Sequence, residues 1–218
     1  MIDRAKILAK RYFDEKGFKN ADIQIVQRDD VANKNQVILD VIIDKKQKMK
    51  VRDIIIEGNS ALATSSIKGN IIKKGVFKET HEAGKMATLL KFKKKYTPER
   101  WKNDKQKLIE KYNELGYRDA YIVSDTVWNV DEKHVSMRVK VDEGKKYYVR
   151  NITWVGNTVY NTDYLAAVLG MKKGDVYNQK LMNKRLTEDE DAVGNNYWNN
   201  GYLFYSLHPT EVNIVGDS

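Results

Sequence analysis

Two stretches of this chain follow one plan, 98 residues apart. In the first, Val37, Leu39, Val41 and Ile43 stand at alternate positions, and Val51, Ile54, Ile56 and Gly58-Asn59 follow. In the second, Val135, Met137, Val139 and Val141 alternate with Ser136, Arg138 and Lys140, and Val149, Ile152, Trp154 and Gly156-Asn157 follow. Period-two alternation is the mark of a strand with one buried and one wet face. Ile43 to Val51 is eight residues, and so is Val141 to Val149. The spacing V-x-x-I-x-[IW]-x-G-N is identical in both copies. Self-similarity at a fixed period makes the chain a tandem array rather than one large core. Each eight-residue junction is too short for a free linker and should restrict swinging between units.

A second signature supports this alignment. Three long helices are expected to end in aromatic-x-x-x-Gly-aromatic: Phe13 to Gly17-Phe18, Tyr112 to Gly116-Tyr117, and Tyr197 to Gly201-Tyr202. The glycine supplies a left-handed stop, and the aromatics can clamp helix end to sheet.

In chain order, residues 3–16 read as a helix with Ala5, Leu8 and Tyr12 on one face. Strands at Ile23–Ile25 and Val37–Ile43 follow. The middle unit reads β-α-α-β-β. It has a strand at 50–56 and a helix at 62–74. A second helix begins at Thr97-Pro98 with Trp101, Leu108, Tyr112 and Leu115 as its stripe, followed by strands at 118–130 and from Val135. The third unit opens with a strand at 147–155 and a helix at 161–169. One long helix from Asn178 through Tyr197 and a strand at 202–207 come next. The expected units are therefore 1–48 (partial), 49–144 (complete, with an insertion near 77–96) and 145–218 (without its last strand). The chain reads as a piece of a longer array, with targeting and anchoring segments outside it.

The function classes thin out quickly. The chain has no cysteine, which removes disulfides and thiolate metal sites. It has no apolar run of membrane-spanning length. His81, His134 and His208 fall in no ligand spacing, Gly170-x-x-x-Gly174 lacks the P-loop context, and no serine sits in a Gly-x-Ser-x-Gly elbow. No catalytic residue, metal or cofactor is expected. The acidic run Glu188–Asp191 reads as a solvated helix face, since consecutive helical residues point in different directions. The net charge of +9 is uneven: +3 over 1–49, +6 over 50–144 and zero over 145–218. Lys91, Lys93, Lys94 and Lys95 cluster around Phe92 as a candidate anionic-surface patch. A lysine-rich solubilising surface explains the same charge more simply.

Taken together, Gly-Asn after the first strand, Gly-Tyr after the second helix and Glu143-Gly144 after the last resemble POTRA domains. The match is nearest to the arrays of the BamA outer-membrane β-barrel assembly family. The resemblance covers essentially the whole chain. Two departures are Lys45-Lys46, where the middle unit has Glu143-Gly144, and the insertion near 77–96. It implies an α+β fold of tandem β-α-α-β-β units, each a three-stranded mixed sheet with two helices on one face. It implies no enzyme but a periplasmic scaffold, the soluble part of an outer-membrane protein. The membrane would be reached through a C-terminal barrel outside this fragment. The implied partners are unfolded outer-membrane proteins and accessory assembly lipoproteins.

A sheet edge offers unpaired N–H and C=O groups, so it can accept an extended peptide with little regard for sequence. The resemblance makes the strand after the second helix the recognised edge, which places Tyr121, Val123, Asp125 and Val127 on it as candidate peptide-binding residues. An ordinary edge protected by charge or twist is the plain alternative. The competing class is nucleic-acid binding through the Lys91–Lys95 patch, as small α/β modules do. It is weakened by the lack of a Gly-x-x-Gly clamp and by the zero net charge of the third unit. Anionic lipid headgroups are a third candidate for the same lysines.

Overall fold

A computed structural model of the chain describes residues 2–33, 35–69, 75–80 and 95–211. They form two compact units, one drawn from 1–108 and 123–140, the other from 109–122 and 141–218. The class is α+β, with a three-stranded mixed sheet at its centre.

The first unit begins with helix α1 (Ile2–Glu15), followed by strands β1 (Asp22–Asp29) and β2 (Val37–Asp44). These two strands pair antiparallel from Asp22↔Asp44 to Asp29↔Val37. The expected stripe of α1 is not the packed one. Leu8 and Tyr12 are 55% and 56% exposed. The helix is instead turned toward Phe13, which meets Phe18 edge-on. Lys10 Nζ donates to the Lys19 and Ala21 carbonyls (2.5 and 2.8 Å), and this fixes the rotation. The alternating residues of β2 are likewise exposed, Val37, Leu39, Val41 and Ile43 among them. Alternation selects a face, but burial needs something to cover it.

Strands β3 (Lys50–Glu57), β4 (Tyr121–Asn129) and β5 (His134–Asp142) form the second sheet, in the order β3-β5-β4. β3 runs parallel to β5 from Lys50↔His134 to Glu57↔Lys140, with one irregularity between Val51 and Asp53. Here the predicted alternation is buried: Val135, Met137 and Val139 are 0% exposed and Val141 is 3%. Helix α2 (Thr64–Lys68) is shorter than the expected 62–74, of which 70–74 lie outside the described residues. Helix α3 (Pro98–Glu114) starts as predicted, with Thr97 Oγ1 accepting from the Arg100 N–H (3.2 Å). Its buried stripe is Trp101, Asp104, Leu108 and Tyr112. Asp104, fully buried among apolar neighbours, accepts from the N–H groups of Lys78, Glu79 and Thr80 and from the Thr80 hydroxyl (2.7–3.2 Å).

In the second unit, α4 (Thr162–Leu169) is capped by Asn161, and α5 (Gln179–Asn183) by the predicted Asn178 (2.8 and 2.9 Å to the Tyr164 and Leu181 N–H groups). The single helix expected from Asn178 through Tyr197 is broken. A π-helical turn (Lys184–Glu188) ends at extended Asp189, and α6 (Val193–Asn199) restarts after Ala192. The acidic run is therefore not one helix face: it spans the break, with Glu188, Glu190 and Asp191 exposed, while Arg185 pairs with Asp189 (3.2 Å) and Asp191 (2.7 Å) and donates to the Val168 carbonyl. Val149, Leu165, Leu169, Met171, Leu186 and Val193 make the core of this unit. The strands expected at 147–155 and 202–207 are not in a sheet among the described residues. Only an isolated bridge, Tyr148↔Val176, is formed.

The repeat signatures are physical. Each helix-ending glycine has positive φ (+88°, +94° and +85° at Gly17, Gly116 and Gly201). Each following aromatic donates its N–H back to the aromatic five residues earlier: Phe18 to Phe13, Tyr117 to Tyr112, Tyr202 to Tyr197 (2.8, 3.0 and 3.0 Å). The paired rings meet edge-on at 6.0–6.1 Å. Asn59 and Asn157 do the same work as each other. Nδ2 donates to the Leu62 or Tyr160 carbonyl (2.7 and 3.0 Å) and to the Thr64 or Thr162 hydroxyl (3.1 and 3.3 Å). The junctions also repeat. The Gly17 carbonyl accepts from Met49 N–H and the Met49 carbonyl from Tyr96 N–H (3.0 and 2.9 Å). Gly116, Tyr147 and Tyr177 reproduce that bracket at 2.8 and 3.0 Å.

Candidate strand-pairing edge

β4 lies at one rim of its sheet because β5, although last in sequence, inserts between it and β3. A rim strand uses only half of its backbone hydrogen-bonding capacity within its own sheet. The four predicted residues all lie on β4, but they are not a uniform free row. Tyr121 and Val123 are 54% and 47% exposed. The Tyr121 hydroxyl reaches Asp142 at 3.5 Å. Asp125 faces α3, accepting from the Trp101 indole N–H (3.0 Å) and pairing with Lys105 (2.7 Å). Its carboxylate is therefore an anchor of strand to helix. Val127 is half-buried, and Lys19 Nζ stands 3.5 Å from its carbonyl.

The far end of β4 is held by contacts that sequence reasoning missed. Asn20 Nδ2 donates to the Glu132 carbonyl (3.1 Å), and Asn129 Nδ2 donates to Asn20 Oδ1 (2.9 Å). Asp131 closes the turn into β5: the Lys133 N–H and the His134 ring hold its carboxyl below the ordinary carboxylate range. No local pattern could have announced Asn20, whose partners Glu132 and Asn129 lie more than 100 residues away. Among the described residues, the end of the strand with the fewest ties to other elements is thus Tyr121–Ser124, where Tyr121, Val123 and Ser124 are exposed.

Lys91, Lys93 and Lys94 lie outside the described residues. Lys95 is exposed; its backbone bridges to Lys50, and its carbonyl accepts from Arg100 (3.2 Å). Among the described residues no cluster of three or more His, Asp or Glu is arranged to hold a metal, and no helix is long and apolar enough to cross a membrane.

The POTRA family model, described as a surface antigen variable number repeat, matches residues 49–144 and again 147–218. The chain is 25% identical over 176 residues to an outer membrane protein assembly factor BamA of Neisseria meningitidis serogroup B, covering 79% of this chain and 21% of that protein. It is 24% identical over 215 residues to a putative outer membrane protein assembly factor of Treponema pallidum, covering 93% of this chain and 22% of that one. It therefore spans about a fifth of the length of the curated relatives it matches. The crystal structure of Haemophilus influenzae BamA POTRA3-5 shares the fold, with a TM-score of 0.50 at 16% identity over 99% of this chain and 76% of that one. With two copies of the family's repeat in sequence and the fold to match, the chain belongs to the POTRA family.

Proposed function

We propose that this array is a periplasmic, non-enzymatic scaffold of an outer-membrane protein assembly factor. It holds unfolded β-barrel precursors by adding their strands to the rim of β4, and it also carries accessory assembly proteins. The observation that carries the reading is the strand order β3-β5-β4, which leaves β4 at the rim with Tyr121 and Val123 exposed. Barrel precursors are extended chains with alternate apolar residues, which suits a ladder of backbone hydrogen bonds. The Asp125 anchor and the Asn20 latch hold the strand in place before a peptide arrives, which lowers the ordering cost of binding. The same names on the relatives favour this class over nucleic-acid binding.

Backbone pairing has a signature that side-chain contact lacks. A nine-residue peptide with outer-membrane strand alternation is expected to bind, and one N-methylated at alternate residues along a single edge is expected to lose binding by at least about tenfold, about 1.4 kcal/mol. Fluorescence anisotropy of the labelled peptides reads both. Equal affinities would reject strand addition.

A further inference from the structure

The rim of β4 is not open along its whole length. The Val130 N–H donates to the His134 carbonyl (2.9 Å), and in an antiparallel ladder only every second residue turns its N–H and C=O toward the partner strand. Counting back from Val130, the even-numbered residues of β4 bond to β5. The N–H and C=O groups of Tyr121, Val123, Asp125 and Val127 then point outward, along the free rim. Lys19 enters this outward row, with its Nζ 3.5 Å from the Val127 carbonyl oxygen. Among the described residues no side chain bonds to the outward carbonyls of Tyr121, Val123 or Asp125.

Lys19 is held from both sides. Its own carbonyl accepts from Lys10 Nζ (2.5 Å), and the next residue, Asn20, is tied to Glu132 and Asn129. The arrangement recurs in the chain. Arg118 follows Gly116-Tyr117 as Lys19 follows Gly17-Phe18, and its guanidinium reaches Glu211, in the segment after Gly201-Tyr202, at 2.9 Å. In each case the cation behind a helix-ending glycine crosses to the chain that leads out of the following repeat's second helix. Lys19 is half-buried, and among the described residues no carboxylate lies within ion-pair distance of it. Burial pulls its ammonium below the ordinary lysine range, and Asp14 on α1 only partly restores it. Lys105, the neighbouring cation on α3, is already paired with Asp125 at 2.7 Å.

Building on strand addition at β4 as the proposed function, we infer that Lys19 is a register stop and charge selector on this rim. A docked strand runs antiparallel to β4, pairs with the outward groups of Tyr121 to Asp125 and no farther, and sets an Asp or Glu near its own N-terminal end against the Lys19 ammonium. The stop is steric and electronic at once: a strand reaching Val127 has to displace the ammonium from the carbonyl its own N–H would use. The charge preference follows from burial, since an incoming carboxylate offsets what desolvation takes from the half-buried cation. The direction follows from ladder geometry, antiparallel pairing being the slightly more stable arrangement. Lys19 touches the end of the ladder rather than its middle, so it selects register and charge while backbone pairing supplies the binding.

The test uses the whole ¹⁵N-labelled chain, with Lys19→Met and Lys19→Arg beside the wild-type protein. Three acetylated, amidated nine-residue peptides share one alternating apolar pattern. They carry Glu at the second position, Gln at the second position, or Glu at the eighth. Amide hydrogen exchange reads the extent of the ladder, and chemical-shift titration reads affinity. On the wild-type protein the first peptide is expected to slow exchange at Tyr121, Val123 and Asp125 and to leave Val127 unchanged. It is expected to bind about three- to fivefold more tightly than the other two, a preference kept by Lys19→Arg and lost in Lys19→Met. In Lys19→Met the slowed exchange should extend to Val127. Equal affinities of the Glu and Gln peptides, with Tyr121, Val123 and Asp125 still protected, would remove the role of Lys19 and leave strand addition standing. Protection reaching Val127 in the wild-type protein would remove the stop, and a preference for Glu at the eighth position would contradict the assigned direction. No protection of β4 by any peptide would remove strand addition itself, and the role of Lys19 with it.

Discussion

Asp104→Ala is expected to destabilise the first compact unit by about 3–5 kcal/mol. Asp104 sits on the apolar stripe of α3, one turn from Trp101 and Leu108, and is fully buried. Its carboxylate accepts from three consecutive backbone N–H groups and one hydroxyl, all from 78–80. Alanine leaves the buried Thr80 N–H and hydroxyl with no acceptor, at roughly 1–3 kcal/mol each before relaxation, and strips the part-buried Lys78 and Glu79 N–H groups of theirs. It also frees the segment that carries Phe77, whose ring meets Trp101 edge-on at 5.5 Å. Asp104→Asn keeps one acceptor oxygen but turns an amide N–H₂ toward the remaining donors, so it should recover less than half of the loss. Thr80→Val removes only the hydroxyl and should cost about 1 kcal/mol. Urea denaturation followed residue by residue by NMR would rank the three. Equal stability of all three would mean that the 78–80 amides find other acceptors.

The three helix-ending glycines should respond unequally to alanine. All have positive φ, so each substitution pays the left-handed term of about 1–2 kcal/mol. What differs is the space. A Cβ on Gly201 meets nothing within 4 Å, and Gly201→Ala should cost only that term. On Gly116 it would lie 2.6 Å from Val176 Cγ1, a side-chain atom that can move, and 3.1 Å from the Tyr147 carbonyl. On Gly17 it would lie 2.6 Å from the Tyr96 carbonyl oxygen, a backbone atom of a residue whose N–H is bonded to the Met49 carbonyl. Gly17→Ala should therefore cost about 3–4 kcal/mol once overpacking is added. Residue-resolved hydrogen exchange separates the two compact units and would read the order Gly17, Gly116, Gly201. An equal loss at all three would show that backbone conformation alone sets the penalty.

These residues also show what the sequence could and could not say. The tandem plan was legible because its signatures are local. Gly-Asn and aromatic-x-x-x-Gly-aromatic each specify a turn within a few residues, and the structure repeats the resulting hydrogen bonds almost atom for atom. The caps Thr97 and Asn178 were legible for the same reason. Asp104 was not, because its donors lie 24–26 residues upstream in a segment without periodicity. The one available hint was an acid standing where α3 should be apolar. The break before α6 was hidden because the apolar residues Met182, Leu186, Val193 and Tyr197 keep helical spacing across it, while the pairing of Arg185 with Asp189 and Asp191 has no local pattern. Alternation in β2 predicted a face that stays exposed, and in β5 one that is fully buried. Pattern decides which way a side chain points, while topology decides what meets it. The same limit applies to the edge strand: its place in the sequence was readable, but the tying of Asp125 to Trp101 and Lys105 was not.

The central claim is that the rim of β4 receives an extended strand. The most direct measurement is a residue-resolved NMR titration of the labelled chain with an alternating outer-membrane strand peptide, beside a scrambled peptide and a short RNA. Saturable shifts of backbone amides within 121–129, strongest toward Tyr121–Ser124, are expected with the alternating peptide only. Silence of those amides, or shifts at Lys95 and its neighbours with RNA that vanish at higher salt, would contradict it.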